Sequence, residues 1–133
     1  MGADETCLAT LLGLIARDRQ FLGIALAHPK KDKLRILWSA EAFRDFGITG
    51  DLKPKRVLGH KKLPKHLEAA LTKGFAPLCL LSLRAHDPTP RILTRTTFPW
   101  PAPAPWTPAT IERAVRAHTE RLSFAAQEAA VPS

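Results

Sequence analysis

The apolar run from Leu78 to Leu83, with the sequence LCLLSL, is the feature that most constrains the fold. Successive side chains of a strand point to opposite faces of a sheet, so a run without a polar face must be covered on both sides. The run therefore predicts an interior strand. A chain of 133 residues is about the usual size of one domain, and we expect residues 1–133 to form a single globular domain.

Two β-hairpins are expected to supply this sheet. The segment Phe21–Leu26 is compatible either with a continuation of the preceding helix or with a buried strand, and Gly23 and the following His-Pro dipeptide favour the strand. Residues 29–33 then form a lysine-rich turn before a returning strand at residues 34–38. The interior run is followed by a more polar strand at residues 91–98, for which an edge position is expected.

Apolar spacing and capping residues predict four helices. Asp4 or Thr6 is available as the N-cap of the first helix, Ser39 caps the second, and Thr107 caps the fourth. Gly47 and Gly74 are expected to end the second and third helices. The helices are expected at residues 6–16, 39–46, 64–73 and 108–127. The inner stripe of the last helix is expected to consist of Ile111, Val115, His118, Leu122 and Ala125.

These elements together predict an α+β fold. A small antiparallel sheet is built from the two hairpins, at about residues 21–38 and 77–98, and is packed by the N-terminal, central and C-terminal helices. Residues 99–108 alternate prolines with Trp100, Trp106 and alanines, which favours an extended polyproline II connector. The two tryptophans either strap this connector across the core or present aromatic surfaces to a ligand, and we favour the strap.

The charge distribution is the main indication of function. The chain has a net charge of +8, and residues 30–66 hold eleven Lys or Arg against four acidic residues. The densest part is the basic block from Lys53 to His66, which has no acidic residue. Such clustering is typical of proteins that bind a polyanion, because lysines and arginines that meet phosphates release condensed counterions. An acidic protein, a membrane surface, or a solvated face that only keeps the protein soluble are the alternatives.

The sequence therefore predicts a small, basic, non-catalytic protein that binds the phosphate backbone of DNA or RNA, as an accessory factor or subunit of a nucleoprotein complex. Three lysines near the N-terminus of the helix at 64–73 lie where the helix dipole and unpaired N–H groups attract anions. The residues expected to contact nucleic acid are Lys30, Lys31, Lys33, Lys53, Lys55, Arg56, His60, Lys61, Lys62, Lys65, Arg91 and Arg95.

Two rival functions stay open at this point. One is a protein-interaction module that docks on an acidic partner through Trp100, Trp106 or the C-terminal helix. The other is a small metal-dependent nuclease that uses Asp45 and Asp51, with Lys53 nearby. Short Asp-x-Lys triplets arise by chance, so a non-catalytic role is favoured and the question of enzyme activity is left open.

No cofactor or metal is expected. His60 and His66 lack nearby cysteines that would complete a zinc site, and the glycines do not form a phosphate-binding loop. Cys7 and Cys79 are expected to be buried free thiols, with burial raising the pKa of Cys79. The chain also lacks a zinc finger, a leucine zipper and the aromatic sheet motif of RNA-recognition domains. Free thiols and the absence of a secretory signal or membrane span favour a cytoplasmic location.

Overall fold

The computed structural model describes residues 2–28, 30–50, 52, 54–84, 91–95 and 106–124. The described elements form an α+β fold, as predicted. In chain order they are α1 (Gly2–Arg17), β1 (Phe21–His28), β2 (Lys31–Ser39), α2 (Ala40–Asp45), β3 (Ile48–Gly50), a 3₁₀ turn (Pro54–Arg56), β4 (Val57–Leu58), α3 (Leu63–Thr72), β5 (Ala76–Arg84), β6 (Arg91–Arg95), α4 (Pro108–Thr119) and β7 (Leu122–Phe124).

The main sheet has the strand order β4-β2-β1-β5-β6. The antiparallel pairs β1–β2 and β5–β6 are the two predicted hairpins, and β1 joins them by pairing antiparallel with β5. The interior position of β5 and the edge position of β6 are therefore confirmed. The prediction of a wholly antiparallel sheet is wrong, because β4 pairs parallel to β2. β4 comes from the part of the basic block that precedes the helix predicted at 64–73, and a loop is expected there from the sequence.

Both faces of the main sheet are covered by apolar side chains. On one face α1 and α3 contribute Leu11, Leu63 and Leu67 to a buried cluster. On the other face α2, α4 and the small β3–β7 ribbon cover the sheet. β1 lies at the centre of the sheet, and all its residues from Phe21 to Ala27 are buried. The continuous apolar runs of β1 and β5 are thus explained by burial on two sides.

Local capping signals fix several element ends as predicted. Ser39 accepts the N–H of Ala42 at the start of α2. Thr107 and Thr110 cap α4 reciprocally, each side-chain oxygen accepting the backbone N–H of the other residue. Gly47 and Gly74 follow α2 and α3 with φ of 62° and 94°, a region in which glycine is favoured. The sequence therefore specified these turns correctly.

Two helix predictions need correction. The first helix begins at Gly2, so Asp4 and Thr6 lie within α1 and are not its N-cap. The last helix ends at Thr119, and the chain then reverses into β7, which pairs with β3. The pairing of β7 with the distant strand β3 therefore overrides the helical spacing of apolar residues that predicts a longer α4.

The inner stripe of α4 is shorter than predicted because of this reversal. Ile111 and Val115 are buried as expected, whereas His118 is exposed. Leu122 is buried as part of β7, and Ala125 lies outside the described residues. The predicted role of His118 as a core residue is therefore wrong.

A buried hydrogen bond explains the polar residue of the interior strand. The Ser82 hydroxyl donates to a carboxylate oxygen of Asp18 at 2.6 Å, and the other oxygen of Asp18 accepts the N–H of Gln20 at 2.9 Å. Asp18 thus connects the turn after α1 to β5. The buried hydroxyl group of Ser82 thus has a hydrogen-bond partner in Asp18, as is usual for buried polar groups.

Part of the proline-rich connector lies outside the described residues, including Trp100. Trp106 is half-buried and packs against the cluster that α4 covers. Trp106 therefore packs as the strap interpretation predicts, whereas residues 99–105 lie outside the described residues and their path across the core stays a prediction. In the described ranges, every helix is too short or too polar to cross a membrane.

Candidate binding surfaces

A groove runs along β2 beside its pairing with β4 and has a volume of about 800 Å³. We call it the edge groove. Its apolar residues are Leu34, Ile36, Trp38, Leu52, Phe75 and Ala117, and its polar residues are Lys33, Arg35, Arg56, His118, Glu120 and Arg121. The groove thus has four Lys or Arg and one carboxylate. Its electrostatic character favours an anionic ligand.

Arg35 is the most constrained charge in the groove. It is half-buried, and its guanidinium carbon lies 4.1 Å from the centroid of the Phe75 ring, a cation–π contact. Burial, and next the positive charge of Arg56, lower the pKa of Arg35 below its usual value. An arginine stays charged despite such a shift. Two guanidinium groups therefore repel each other beside the groove, and an anion between them would relieve this repulsion.

The ring of Phe75 is held from a second side by His28. Their centroids are 5.2 Å apart with the rings nearly perpendicular. His28 Nδ1 accepts the N–H of Lys30, so its Nε2–H donates to the carbonyl of Lys73. These contacts fix Phe75, and through it the position of the Arg35 side chain.

The edge groove joins two sequence regions that were predicted separately. Lys33 comes from the first hairpin and Arg56 from the basic block, and both line the groove. Arg35, His118 and Arg121 also line the groove and are not among the contacts predicted from the sequence. Arg35 lay in a segment assigned only as a strand, and His118 and Arg121 were assigned to a longer helix. The alternating charges of the KDKLR segment were the available signal for Arg35.

A second basic surface surrounds the N-terminus of α3. Lys61, Lys62 and Lys65 lie there, and Lys55 lies earlier in the chain, in the 3₁₀ turn before β4. We call these four residues the lysine cluster, and all four side chains are exposed. Among the described residues no carboxylate forms an ion pair with any of them, since the pairs found there are Arg44–Asp45 and Glu41–His60. In the part of the chain that the structure describes, the lysine cluster therefore presents its charge to solvent without an ion-pair partner.

The backbone at the start of α3 offers fewer donors than expected. The N–H groups of Lys62 and Leu63 both donate to the carbonyl of Gly59 at 2.9 Å. Pro64 has no N–H, and the N–H of His66 donates to Lys62. Of the first turn, at most the N–H of Lys65 is available to a ligand. A phosphate bound here would therefore be held mainly by lysine side chains, because few backbone N–H groups are available as hydrogen-bond donors.

His60 lies in the basic block but is engaged by an acidic residue. Glu41 accepts the backbone N–H of His60 at 2.9 Å, and His60 Nδ1 lies 3.2 Å from the same carboxylate oxygen. The first of these hydrogen bonds is the main reason why the pKa of Glu41 is below its usual value. His60 is therefore tied to α2, and its protonated charge would be partly neutralised.

Of the remaining residues predicted to contact nucleic acid, some have described side chains and others do not. Lys30 and Lys33 are exposed near the turn of the first hairpin. The Lys31 side chain is outside the described residues, as are Lys53 and the side chains of Arg91 and Arg95. Lys31, Arg91 and Arg95 are placed only through their backbones, in β2 and β6.

The nuclease hypothesis gains no geometric support. Asp45 is exposed and contacts the adjacent Arg44 at 3.2 Å, while Asp51 and Lys53 fall outside the described residues. The described part of the chain has no group of three or more His, Cys, Asp or Glu placed to hold a metal.

Cys7 and Cys79 are not joined by a disulfide. Cys79 is buried in β5, and burial raises its pKa to about 12. The sequence predicts a raised pKa for this thiol. Cys7 is half-buried, so the expectation of two fully buried thiols is only partly correct.

Comparison of this chain with protein-family models, curated proteins and solved structures finds no match in any of the three.

Proposed function

We propose that this protein binds the phosphate backbone of nucleic acid without catalysis, and that the lysine cluster makes the main contacts. The observation that supports the proposal is that Lys55, Lys61, Lys62 and Lys65 are exposed and unpaired in the described structure, in a chain of net charge +8. Fixed carboxylates near these lysines would compete with phosphates, and no carboxylate of the described residues forms an ion pair with them.

The expected binding is electrostatic and weak in sequence preference. Lysines contact phosphate oxygens as point charges, which positions a nucleic acid without reading its bases. Lys30 and Lys33 of the first hairpin lie elsewhere. His28, which accepts the N–H of Lys30, donates to Lys73 at the C-terminal end of α3, and Lys33 lines the edge groove. An accessory role in a nucleoprotein complex follows from this kind of binding, because the partner would then supply specificity.

The test is the salt dependence of binding to labelled 20-nucleotide DNA and RNA, single-stranded and duplex, by fluorescence anisotropy. The triple variant Lys61→Gln/Lys62→Gln/Lys65→Gln is compared with the matched triple variant Arg19→Gln/Lys73→Gln/Arg113→Gln, which removes the same charge from exposed positions elsewhere. We expect the first variant to reduce the slope of log K against log salt by about 2 to 3, since each lost contact removes about 0.7 to 0.9.

The matched variant should change the slope much less. If both triple variants reduced the slope of log K against log salt equally, net charge alone would drive binding and the lysine cluster would not be the site. Absence of binding to every probe at about 50 mM salt would reject the proposal.

A further inference from the structure

β2 has two unlike edges. Along one edge it pairs with β1 from Lys31 to Trp38. Along the other, among the residues that the structure describes, only Trp38 and Ser39 have partners, in β4. Backbone N–H and C=O groups of alternate residues point to each side of a strand. Between Lys33 and Leu37, β2 therefore presents backbone donors and acceptors that no described strand pairs.

The edge groove lies on this unpaired side. Four consecutive residues, 33–36, line it. Successive side chains point to opposite faces, so four in a row can border one space only where the strand edge itself is accessible. Phe75 borders the groove from the side of α1 and α3, and Ala117 of α4 borders it from the other side. Among the described residues, the edge groove is thus walled on both sides and has no strand beside β2 between Lys33 and Leu37.

The two faces of the edge groove differ in chemistry. Arg35 lies on the face with Phe75. Leu34 and Ile36 point to the opposite face, where they belong to the cluster that α4 covers. Lys33 and Arg56 add positive charge to the same groove. A strand placed beside β2 would therefore meet cations on one of its faces. On the other it would meet the aliphatic side chains of β2, bordered by His118, Glu120 and Arg121 from the end of α4 and the turn after it.

We propose that the edge groove binds an acidic peptide segment of a partner protein, which adds to β2 as an extended strand. Such strand addition takes its affinity from main-chain hydrogen bonds and its specificity from the alternating side chains. The bound segment carries carboxylates at the positions that face Arg35 and small aliphatic residues at the positions that face Leu34 and Ile36. This site is separate from the lysine cluster and does not depend on nucleic-acid binding there.

Charge complementarity and backbone chemistry favour a peptide as the occupant. A single-stranded nucleic acid would satisfy the charges of Arg35 and Arg56 but would leave the backbone groups of β2 without amide partners. Lysines on an ordinary edge strand discourage pairing with other strands. Here acidic side chains on the incoming strand convert the same charges into attraction, which selects one class of partner.

The test uses a labelled seven-residue peptide that alternates Glu with Val or Thr, measured by fluorescence anisotropy against the full chain. Three control peptides have the same residues in block order, N-methylated amides on the Glu residues, or N-methylated amides on the Val and Thr residues. We expect the alternating peptide to bind and the block peptide to bind about tenfold more weakly or worse. Only one N-methylated peptide should lose binding, because only one set of amides faces β2.

Variants of the groove test the charge requirement. Arg35→Glu should lose the acidic peptide and gain a Lys-Val alternating peptide, whereas the matched variant Arg113→Glu on the exposed side of α4 should change neither. Arg35→Gln and Arg56→Glu, checked by circular dichroism, provide the same test if Arg35→Glu does not fold. Both should weaken acidic-peptide binding by about tenfold.

Three outcomes would overturn the proposal. The first is equal binding of the alternating and block peptides, and the second is equal binding of both N-methylated peptides and the parent. The third is that single-stranded oligo-dT displaces the acidic peptide and itself loses binding in Arg35→Gln, which would assign the groove to nucleic acid.

Discussion

At the scale of single residues, the described glycines differ sharply in what surrounds them. A Cβ placed on Gly23 in β1 would lie 2.6 Å from the carbonyl oxygen of Leu37 and 3.2 Å from the Trp38 ring. A Cβ on Gly13 in α1 would have no other atom within 4 Å. The same substitution should therefore have opposite effects at the two positions.

We expect Gly23→Ala to destabilise the protein by about 1 to 3 kcal/mol, because the central strands must separate to admit a methyl group. Gly13→Ala should instead stabilise it by about 0.5 to 1 kcal/mol, since alanine restricts the unfolded chain and favours the helix. Urea unfolding followed by circular dichroism measures both values, and Gly13→Ala is the control for Gly23→Ala. A Gly23→Ala protein as stable as the wild type would contradict the close packing of β1 against β2.

At the scale of elements, the hydrogen bonds of Glu41 connect α2 to the basic block. The carboxylate accepts the backbone N–H of His60, just before α3 begins, and this contact lowers the pKa of Glu41. The ionised form is therefore stabilised in the folded state. Its contribution to stability is complete above the usual pKa of Glu and is lost as the pH falls through the lower folded value.

We expect Glu41→Gln to destabilise the protein at pH 7 by at most about 1 kcal/mol, because the side chain is 34% exposed and solvent screens part of the interaction. The difference from wild type should shrink as the pH is lowered from about 5 to 3. Urea unfolding at several pH values measures it, with Glu68→Gln as an exposed control on α3. A difference that stays constant down to pH 3 would show that the ionised carboxylate is not responsible.

At the scale of the whole molecule, Cys79 reports on the integrity of the covered sheet. Its side chain is 1% exposed beneath the layer that contains α4, and its pKa is raised to about 12. A thiol reacts as the thiolate and only when the reagent reaches it. Labelling of Cys79 should therefore require that the sheet and its covering layer separate.

We expect a Cys7→Ser protein to react with iodoacetamide at pH 8 only through its unfolded state, so that the labelling rate rises with urea in proportion to the unfolded fraction. The matched Cys79→Ala protein retains the half-buried Cys7 and should react faster without urea. Labelling is measured by mass spectrometry. Rapid reaction of Cys79 in the absence of urea would contradict its burial in β5.

The sequence indicated much of the fold because its strongest signals are local. The unbroken apolar run of β5 requires cover on both faces wherever it lies in the fold. Thr107, Ser39 and Gly74 act through atoms within a few residues, so their capping roles could be read directly. The α+β class follows from the same signals.

What the sequence alone determined is therefore the set of main helices and strands, the two hairpins and the excess of positive charge. The tertiary structure decided the parallel addition of β4, the reversal after Thr119 into β7, and the edge groove. Each of these depends on segments far apart in the chain. The contacts between these segments outweigh the secondary-structure preference of each segment alone. The residue pattern within a single segment therefore does not predict them. For the same reason Lys33 and Arg56 were predicted separately, while only the folded chain brings them to one groove.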